Sequence, residues 1–333
     1  MRKSIYDLLL WSGALAGGGS GGGGDTPSGG EEWIGDGNTH IWITLTEERK
    51  SPMLGCCPNG TVTVDWGDGT TPDVLTGTDT STLKDTPIHN YASAGDYVIT
   101  LTINGEMGIS GNNSGNRCSA ILRHSKSIYG DSRNNAYFNA VKKIEIGNSV
   151  TSIGAYAFHN CCSLASINIP DSVTSIGDRA FSGCDLASIT IPDSVTSIGS
   201  NAFYDCNGLA SITIADSVTS IGANAFQRCS ALTRVIISNS VTSIGDSVFS
   251  YCNSLASINI PDSVTSIGAS AFYDCGSVAF LDFTKHTAVP TLANTNAFTD
   301  IAADCEIRVP AALVDEWKAA TNWSSVASKI VGV

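Results

Sequence analysis

The hexapeptide Ser-Val-Thr-Ser-Ile-Gly occupies residues 149–154 and returns at Ser172, Ser194, Ser217, Ser240 and Ser263, at steps of 23, 22, 23, 23 and 23 residues. Between the copies a second pattern recurs: Leu164, Ile167, Ile169; Leu186, Ile189, Ile191; Leu209, Ile212, Ile214; Leu232, Val235, Ile237; Leu255, Ile258, Ile260. A unit of this length is too small to bury its own apolar face, so it must stack on its neighbours as one turn of a solenoid. Val150, Ile153 and Phe158 and their equivalents Val173, Ile176 and Phe181 then form ladders of like side chains along the stack. The one short step falls at residues 184–186, where a single loop residue is missing. Pro170, Pro192 and Pro261, each followed by Asp-Ser, end a strand by removing a donor. The glycine closing each hexapeptide is expected to turn the chain at the next corner.

Cysteines 161, 184, 206, 229, 252 and 275 each stand three residues after the repeat Phe. A disulfide framework or a zinc site needs paired spacings, whereas one thiol per turn predicts a ladder of buried free cysteines. Cys56-Cys57 and Cys161-Cys162 are adjacent pairs, which bridge poorly within themselves, and the redox compartment stays open.

The unit, with Ala-Phe eight residues after its first serine, Cys three further on and then Leu-x-Ser-Ile-x-Ile-Pro-Asp, resembles the BspA-type leucine-rich repeat. That repeat occurs in surface proteins of gut and oral bacteria, in some protist surface proteins and in proteins of their phages. The resemblance covers residues 141 to about 283, with a degenerate turn from Ala297-Phe298 to Cys305. It implies an exposed protein of adhesion or recognition. Residues 307–323 look like the ending such proteins use, and physically they make a cap: Pro310 starts a short helix with Leu313 and Trp317 on one face.

Upstream the period changes to two. Residues 39–46 alternate with Ile41, Ile43 and Leu45 on one face, residues 61–66 alternate again, and Tyr97, Ile99, Leu101 and Ile103 form a third run. A small antiparallel β-sandwich is predicted. The residues Val64-Asp65-Trp66-Gly67-Asp68-Gly69, His89-Asn90-Tyr91 and Gly95-Asp96-Tyr97-Val98-Ile99-Thr100-Leu101 resemble the PKD domain, an immunoglobulin-like module of cell-surface proteins, although an aromatic usually stands where this chain has Val64. Asp65, Asp68 and Asp96 lie on neighbouring turns, as a calcium site would need, but no dense Asp/Asn loop accompanies them, and backbone amides are the expected partners.

Residues 17–30 hold nine glycines, with Ser20, Asp25, Thr26, Pro27 and Ser28 the only others, and predict a flexible tether. The stretch before it reads either as a signal peptide, with Arg2 and Lys3 ahead of a short apolar core, or as a docking helix carrying Ile5, Leu8, Leu9 and Trp11. Its Ser-Ile-Tyr-Asp-Leu-Leu run ahead of polyglycine also looks like virion proteins of gut phages. The expected division is 1–31 docking or signal segment plus tether, 32–104 sandwich, 105–140 irregular loop or solenoid N-cap, 141–306 repeat solenoid and 307–333 C-terminal cap. The fold class is mainly β.

Composition narrows the function. Of 333 residues 42% are hydrophobic and 15% charged, against a usual ~25% charged, so uncharged Ser, Thr, Asn and Gly must cover much of the surface. A net charge of -13 opposes nucleic acid and anionic lipid, and no apolar stretch is long enough for membrane insertion. His40, His89, His124, His159 and His286 are scattered over different units, none paired with a nucleophile, so no catalytic residue, cofactor or metal is expected; Cys118, Arg123 and Arg133 likewise show no catalytic spacing. His159 stands where other copies have Ser182, Tyr204, Gln227, Ser250 and Tyr273, a variable position expected to be exposed.

Two rows are candidates for binding. One is the outward strand pair Ser166/Asn168, Ser188/Thr190, Ser211/Thr213, Arg234/Ile236 and Ser257/Asn259, whose break at Arg234/Ile236 also argues against an ice-binding hydroxyl array. The other is the variable loop after Phe, with Tyr204, Gln227, Arg228, Tyr251 and Tyr273, and it is the favoured one because tyrosines suit recognition surfaces. The expectation is a non-enzymatic extracellular or cell-surface protein that binds host or bacterial surface proteins or glycans. The alternative is a phage virion decoration or receptor-binding protein whose solenoid is a spacer or attachment module on the virion surface.

Overall fold

The computed structural model describes residues 34–45, 51–52, 54–78, 84–109 and 140–333. The N-terminal segment, the tether and Cys118, Arg123, His124 and Arg133 lie outside the described residues. Residues 36–333 form one compact unit.

Its first part is an antiparallel sheet of β1 (Thr39–Leu45), β2 (Gly55–Asp65), β3 (Asp73–Thr78), β4 (Lys84–Asp85) and β5 (Gly95–Ile109). Strand β5 lies between β1 and β2, and β2 also carries β3 and β4. The alternation seen in the sequence is realised: Ile41, Ile43, Leu45, Val62, Val64, Ile99 and Leu101 are buried. Trp66 is wholly buried, stacked on His89 at 4.5 Å, with its indole N–H donated to Asp73 at 2.9 Å and its carbonyl accepting the Tyr91 hydroxyl at 2.8 Å. The Trp-Gly-Asp-Gly turn is therefore a packing device. Gly67, at φ +78, brings its Cα so close to Val98 that a Cβ would stand 2.4 Å from the Val98 carbonyl oxygen.

From residue 141 successive turns place a strand on one face and a shorter strand on another, except that the turn of Leu186, Ile189 and Ile191 forms none on the first face. The first face holds β6 (Val141–Glu145) and β8 (Ser166–Asn168), paired with each other, and past the strandless turn a separate six-stranded sheet of β11 (Ser211–Thr213), β13 (Arg234–Ile236), β15 (Ser257–Asn259), β17 (Phe280–Asp282), β19 (Glu306–Val309) and β20 (Ile330–Gly332). The second holds β7 (Val150–Ile153), β9 (Ser175–Ile176), β10 (Ser197–Ile198) and β12 (Ser220–Ile221), then β14 (Ser243–Ile244), β16 (Ser266–Ile267) and β18 (Thr291–Leu292). Registers follow the repeat: Ser211, Arg234, Ser257, Phe280 and Glu306 face one another along the stack.

Inside, Phe158, Phe181, Phe203, Phe226, Phe249, Phe272 and Phe298 form one file with successive ring centroids 5.2 to 5.8 Å apart. The cysteine file runs beside it. From Cys184 to Cys275 each Sγ–H donates to the carbonyl of a Phe one turn back, Cys184 to Phe158 at 3.0 Å and Cys229 to Phe203 at 3.1 Å among them. The first serine of the hexapeptide ties turns together too, its hydroxyl donating to the valine carbonyl of the preceding turn, as in Ser194 to Val173 at 2.6 Å.

The repeat glycines differ from expectation. None of those at 177, 199, 222, 245 and 268 has a positive φ; the left-handed conformation falls two residues later, on Arg179, Asn201, Asn224, Ser247 and Ser270. At Gly177, Gly199, Gly222 and Gly268 glycine is needed for close approach instead: a Cβ on Gly199 would stand 2.5 Å from the carbonyl carbon of Gly177, and one on Gly222 2.5 Å from the Ser200 nitrogen, whereas at Gly245 the nearest atom would be 3.5 Å away. The absent side chain lets consecutive turns stack backbone against backbone.

The ends are covered differently. At the C-terminal end the helix Val314–Ala319 and the 3-10 segment Trp323–Lys329 bury Trp317 and Trp323 against Phe283 and Phe298, and the Trp323 indole donates to the Pro290 carbonyl at 2.8 Å. At the N-terminal end β1 pairs antiparallel with β6 and β5 pairs parallel with β7 through Met107, Gly108 and Ile109. The antiparallel sheet thus continues both solenoid sheets. Residues 105–109, expected in an irregular loop, extend β5 instead, because Met107 and Ile109 gain a buried place beside Val150 and Ile153.

Gly222→Ala should therefore cost about 1–3 kcal/mol, since it forces two backbones apart, while Gly276→Ala, whose Cβ would meet nothing within 4 Å, should stay within about 0.5 kcal/mol. Equal denaturation midpoints for the two variants would refute the close-approach role. Phe226→Ala should cost roughly 3–5 kcal/mol in the same assay; a melting temperature within a degree of the parent would refute the aromatic file.

Candidate functional site

The corner after each Phe divides into two columns. His159, Ser182, Tyr204, Gln227, Ser250 and Tyr273 follow Phe directly, and Asn160, Gly183, Asp205, Arg228, Tyr251 and Asp274 come next, all six with positive φ. The first column is less open than the sequence suggested. Ser182 and Ser250 are 2% exposed and His159 5%, so His159 is buried, edge-on to Tyr156 at 5.4 Å, where an exposed site was expected. Short side chains here lie beneath the flanking turns, and Tyr204, Gln227 and Tyr273 are half-buried.

Three of the five chosen residues come together. Arg228 stands with its guanidinium 5.4 Å from the Tyr251 ring centroid, and Tyr251 meets Tyr273 edge-on at 5.4 Å. Tyr273 continues to Asp300: the Asp300 charge, then Tyr251, and a hydrogen bond to Asp300 all push its phenol pKa upward. The result is a file Arg228, Tyr251, Tyr273, Asp300 crossing four turns on the outside of the stack. Tyr204 and Gln227 lie on the same side on earlier turns, where Asp205 N–H donates to the Gln227 carbonyl at 2.9 Å, but they do not join the file.

The strand row carries what the sequence reading passed over. Its small polar pattern is broken at Arg234/Ile236, returns once at Ser257/Asn259 and then ends: β17 presents Phe280 and Asp282, and β19 presents Glu306 and Arg308. Arg308 sits over the Phe280 ring at 4.0 Å and its Nε–H donates to Glu306 at 2.8 Å. A groove of about 290 Å³ opens between Arg234 and Ile236 on one side and Asp282, Thr284 and Lys285 on the other. The break in the row is visible in the sequence, but the groove beside it is not, because its two walls come from turns two repeats apart.

The acidic turn residues are engaged locally. Asp65 accepts the Gly67 N–H at 3.0 Å, Asp68 accepts the Thr70 N–H at 3.1 Å and pairs with His89 at 2.8 Å, and Asp96 accepts the Thr44 hydroxyl at 2.6 Å. Partial burial raises the Asp68 pKa, but the Thr70 and His89 hydrogen bonds outweigh it and hold the carboxyl below its ordinary value. Among the described residues no three His, Cys, Asp or Glu side chains gather as metal ligands, and no helix is long and apolar enough to cross a membrane. His40 pairs with Asp36 at 2.8 Å and meets the Thr100 hydroxyl at 3.1 Å, while His286 donates to the Val264 carbonyl at 3.2 Å; these buried histidines serve packing.

Parallel in-register turns of 22 or 23 residues, with leucine, isoleucine and phenylalanine files and two terminal covers, define a leucine-rich-repeat solenoid. Residues 132–241 and 174–302 match the BspA type leucine rich repeat region in six copies, and the chain belongs to that family. Its repeats are similar to solved structures of a leucine-rich repeat protein from Bacteroides ovatus (27% identity, 58% of this chain and 54% of that one, TM-score 0.46) and a leucine-rich repeat protein of T. pallidum (31%, 40% and 63%, 0.37). A leucine rich cell surface protein from Faecalibacterium prausnitzii is similar at 25% identity over 60% of this chain and 66% of that one, with a TM-score of 0.32. The chain thus spans about half to two thirds of the length of these proteins. No curated protein matches it.

Burial lifts the thiols of Cys184, Cys206, Cys229 and Cys252 well above their usual pKa, and that of Cys275 to about 12. With almost no thiolate at pH 8 and no access, they should resist alkylation in the native protein, while exposed Cys162 reacts. Peptide mapping after native and denatured labelling checks this; native labelling of the repeat file would contradict it.

Proposed function

We infer that this protein is a non-enzymatic recognition protein of an extracellular or cell-surface setting, binding host or bacterial surface glycans or proteins through side chains displayed on its solenoid. BspA-type repeat proteins are typically surface proteins of recognition, and no catalytic family is indicated. The observation that carries the reading is the file Arg228, Tyr251, Tyr273 and Asp300. These side chains touch one another on the outside of the stack and contribute nothing to its buried files. Tyrosine and arginine are the residues that anchor interfaces, because they offer large contact area and polar tips at modest entropic cost. Contacts repeated on successive turns also add up against a polymeric or multicopy ligand.

The antiparallel sheet fits a PKD-like module: the Trp66, His89 and Tyr91 cluster sits at the residues that carry the resemblance. In such a protein it doubles as a solenoid cover and a spacer toward the tether. A virion decoration role rests on the Ser-Ile-Tyr-Asp-Leu-Leu run before polyglycine, and there the solenoid is spacer or attachment module.

Replacing Tyr204, Tyr251 and Tyr273 together by Ser should weaken binding of the full chain to a panel of mucin, arrayed glycans and whole bacterial cells by tenfold or more, while the melting temperature moves by a few degrees at most. Unchanged binding would remove the corner file from the site. A parent chain that binds no member of the panel would replace recognition by the spacer role.

A further inference from the structure

The groove on the strand face differs from the rest of the solenoid surface in three respects. First, it is a valley made by side-chain size: Ser257 and Asn259 on β15 are short, while Arg234 and Ile236 on β13 and Asp282, Thr284 and Lys285 on and after β17 stand higher on either side. Second, it is bracketed by two cations without a hydrogen bond or ion pair among the described residues, Arg234 and Lys285, in a chain whose net charge is -13. Both are exposed, and Arg234 replaces the serine that Ser211 and Ser257 supply on adjacent turns. Third, its wall combines an aliphatic face, Ile236 at 42% exposure with Pro261 below, and the short polar side chains of Asn239, Ser257, Asn259 and Thr284. Asp282 is held in place by the Thr284 N–H and hydroxyl, at 2.9 and 2.7 Å, both on one carboxylate oxygen, which leaves the other to accept.

We propose that this groove binds a carboxylated sugar residue, with Arg234 and Lys285 taking the carboxylate, the short polar side chains and Asp282 taking ring hydroxyls, and Ile236 supporting the C–H face of the ring. This assignment rests on the reading of the solenoid as a glycan- or protein-recognising surface and specifies the ligand. A volume of about 290 Å³ lies just below the ~300–1,000 Å³ usual for small-molecule sites, which suits a ligand as small as a single sugar residue. An extended peptide fits less well. The main-chain groups under the groove are consumed in the β13–β15–β17 ladder and its extensions, such as Ile260 N–H to the Asp282 carbonyl at 2.9 Å, so a peptide backbone finds no partners there. Paired donors and acceptors on short, rigid side chains suit vicinal hydroxyls, and the two cations select acid over neutral sugars.

The test is titration calorimetry of the full chain at low salt with sialyllactose and tetragalacturonate, against lactose and methyl-esterified tetragalacturonate. At least one acid should bind tenfold or more tighter than its neutral counterpart. Arg234→Ser, which restores the serine of neighbouring turns, and Lys285→Ser should each lower that affinity severalfold with unchanged melting temperature, while Lys318→Ser, which removes an exposed cation on the C-terminal helix, leaves it intact. Equal binding of acid and neutral sugars, full retention in both cation variants, or equal binding of poly-glutamate would overturn the proposal. Failure of every acid sugar while mucin or cells still bind would overturn the groove assignment alone and leave the recognition function standing. Failure of both would remove the two together.

Discussion

Every turn of this protein leaves one apolar edge bare until another chain segment lies against it, and the distance at which that segment can lie is set by glycine. Where a Cβ would come within about 2.5 Å of the preceding backbone, at Gly199, Gly222 and Gly268, the repeat carries none, and the phenylalanine rings then meet at 5.2 to 5.8 Å. Close stacking in turn allows the short reach of Cys Sγ–H and Ser Oγ–H to the carbonyls of a preceding turn. A thiol or a hydroxyl that donates there is satisfied without water, which is why polar atoms can be carried into a core this narrow. The files, the ladders and the inert cysteines all follow from one spacing.

Stacking also explains the two ends. A stack needs covers, since its terminal turns would otherwise expose the same files that the middle turns hide. The C-terminal cover is local, two tryptophans on a short helix and a 3-10 segment. The N-terminal cover is a sheet of different architecture, whose β1 and β5 each extend one of the solenoid sheets. Module and solenoid therefore share a hydrogen-bonded boundary, and residues 36–333 pack as one unit.

Much of this was legible in the sequence, because a ladder is a repeat written into the chain: the period, the buried Leu, Ile, Val and Phe positions and the free thiols follow from identity between copies, and the capping role of Trp317 from its spacing after Pro310. What was not legible depends on contacts between copies. The glycine of the hexapeptide reads as a corner residue, since close backbone approach leaves no mark different from positive φ in a sequence. His159 reads as exposed because its column varies, yet its ring lies edge-on to Tyr156 and beside the short Ser182 of the next turn, and is buried. The extension of β5 through Met107 and Ile109 was hidden because Gly105 and Gly108 interrupt the alternation, and its partner β7 lies about 40 residues away in sequence. Of the candidate site, Arg228, Tyr251 and Tyr273 were found as a group, while the groove at Arg234 and Lys285 required knowing that turns two apart flank a valley.

Most differences between copies lie outside the Phe, Cys, Leu and Ile files, so side chains at the corners and on the strand face can change at little cost to the stack. That separation requires a continuous, covered stack with no frayed first turn. Native-state hydrogen exchange on the full chain measures it residue by residue. Amides of β6 and β7, beneath β1 and β5, should exchange as slowly as those of the middle turns around Phe203 and Phe226. Fast exchange at Val150 to Ile153, with slow exchange confined to the later turns, would show an uncovered N-terminal end and contradict the shared boundary from which the rest is argued.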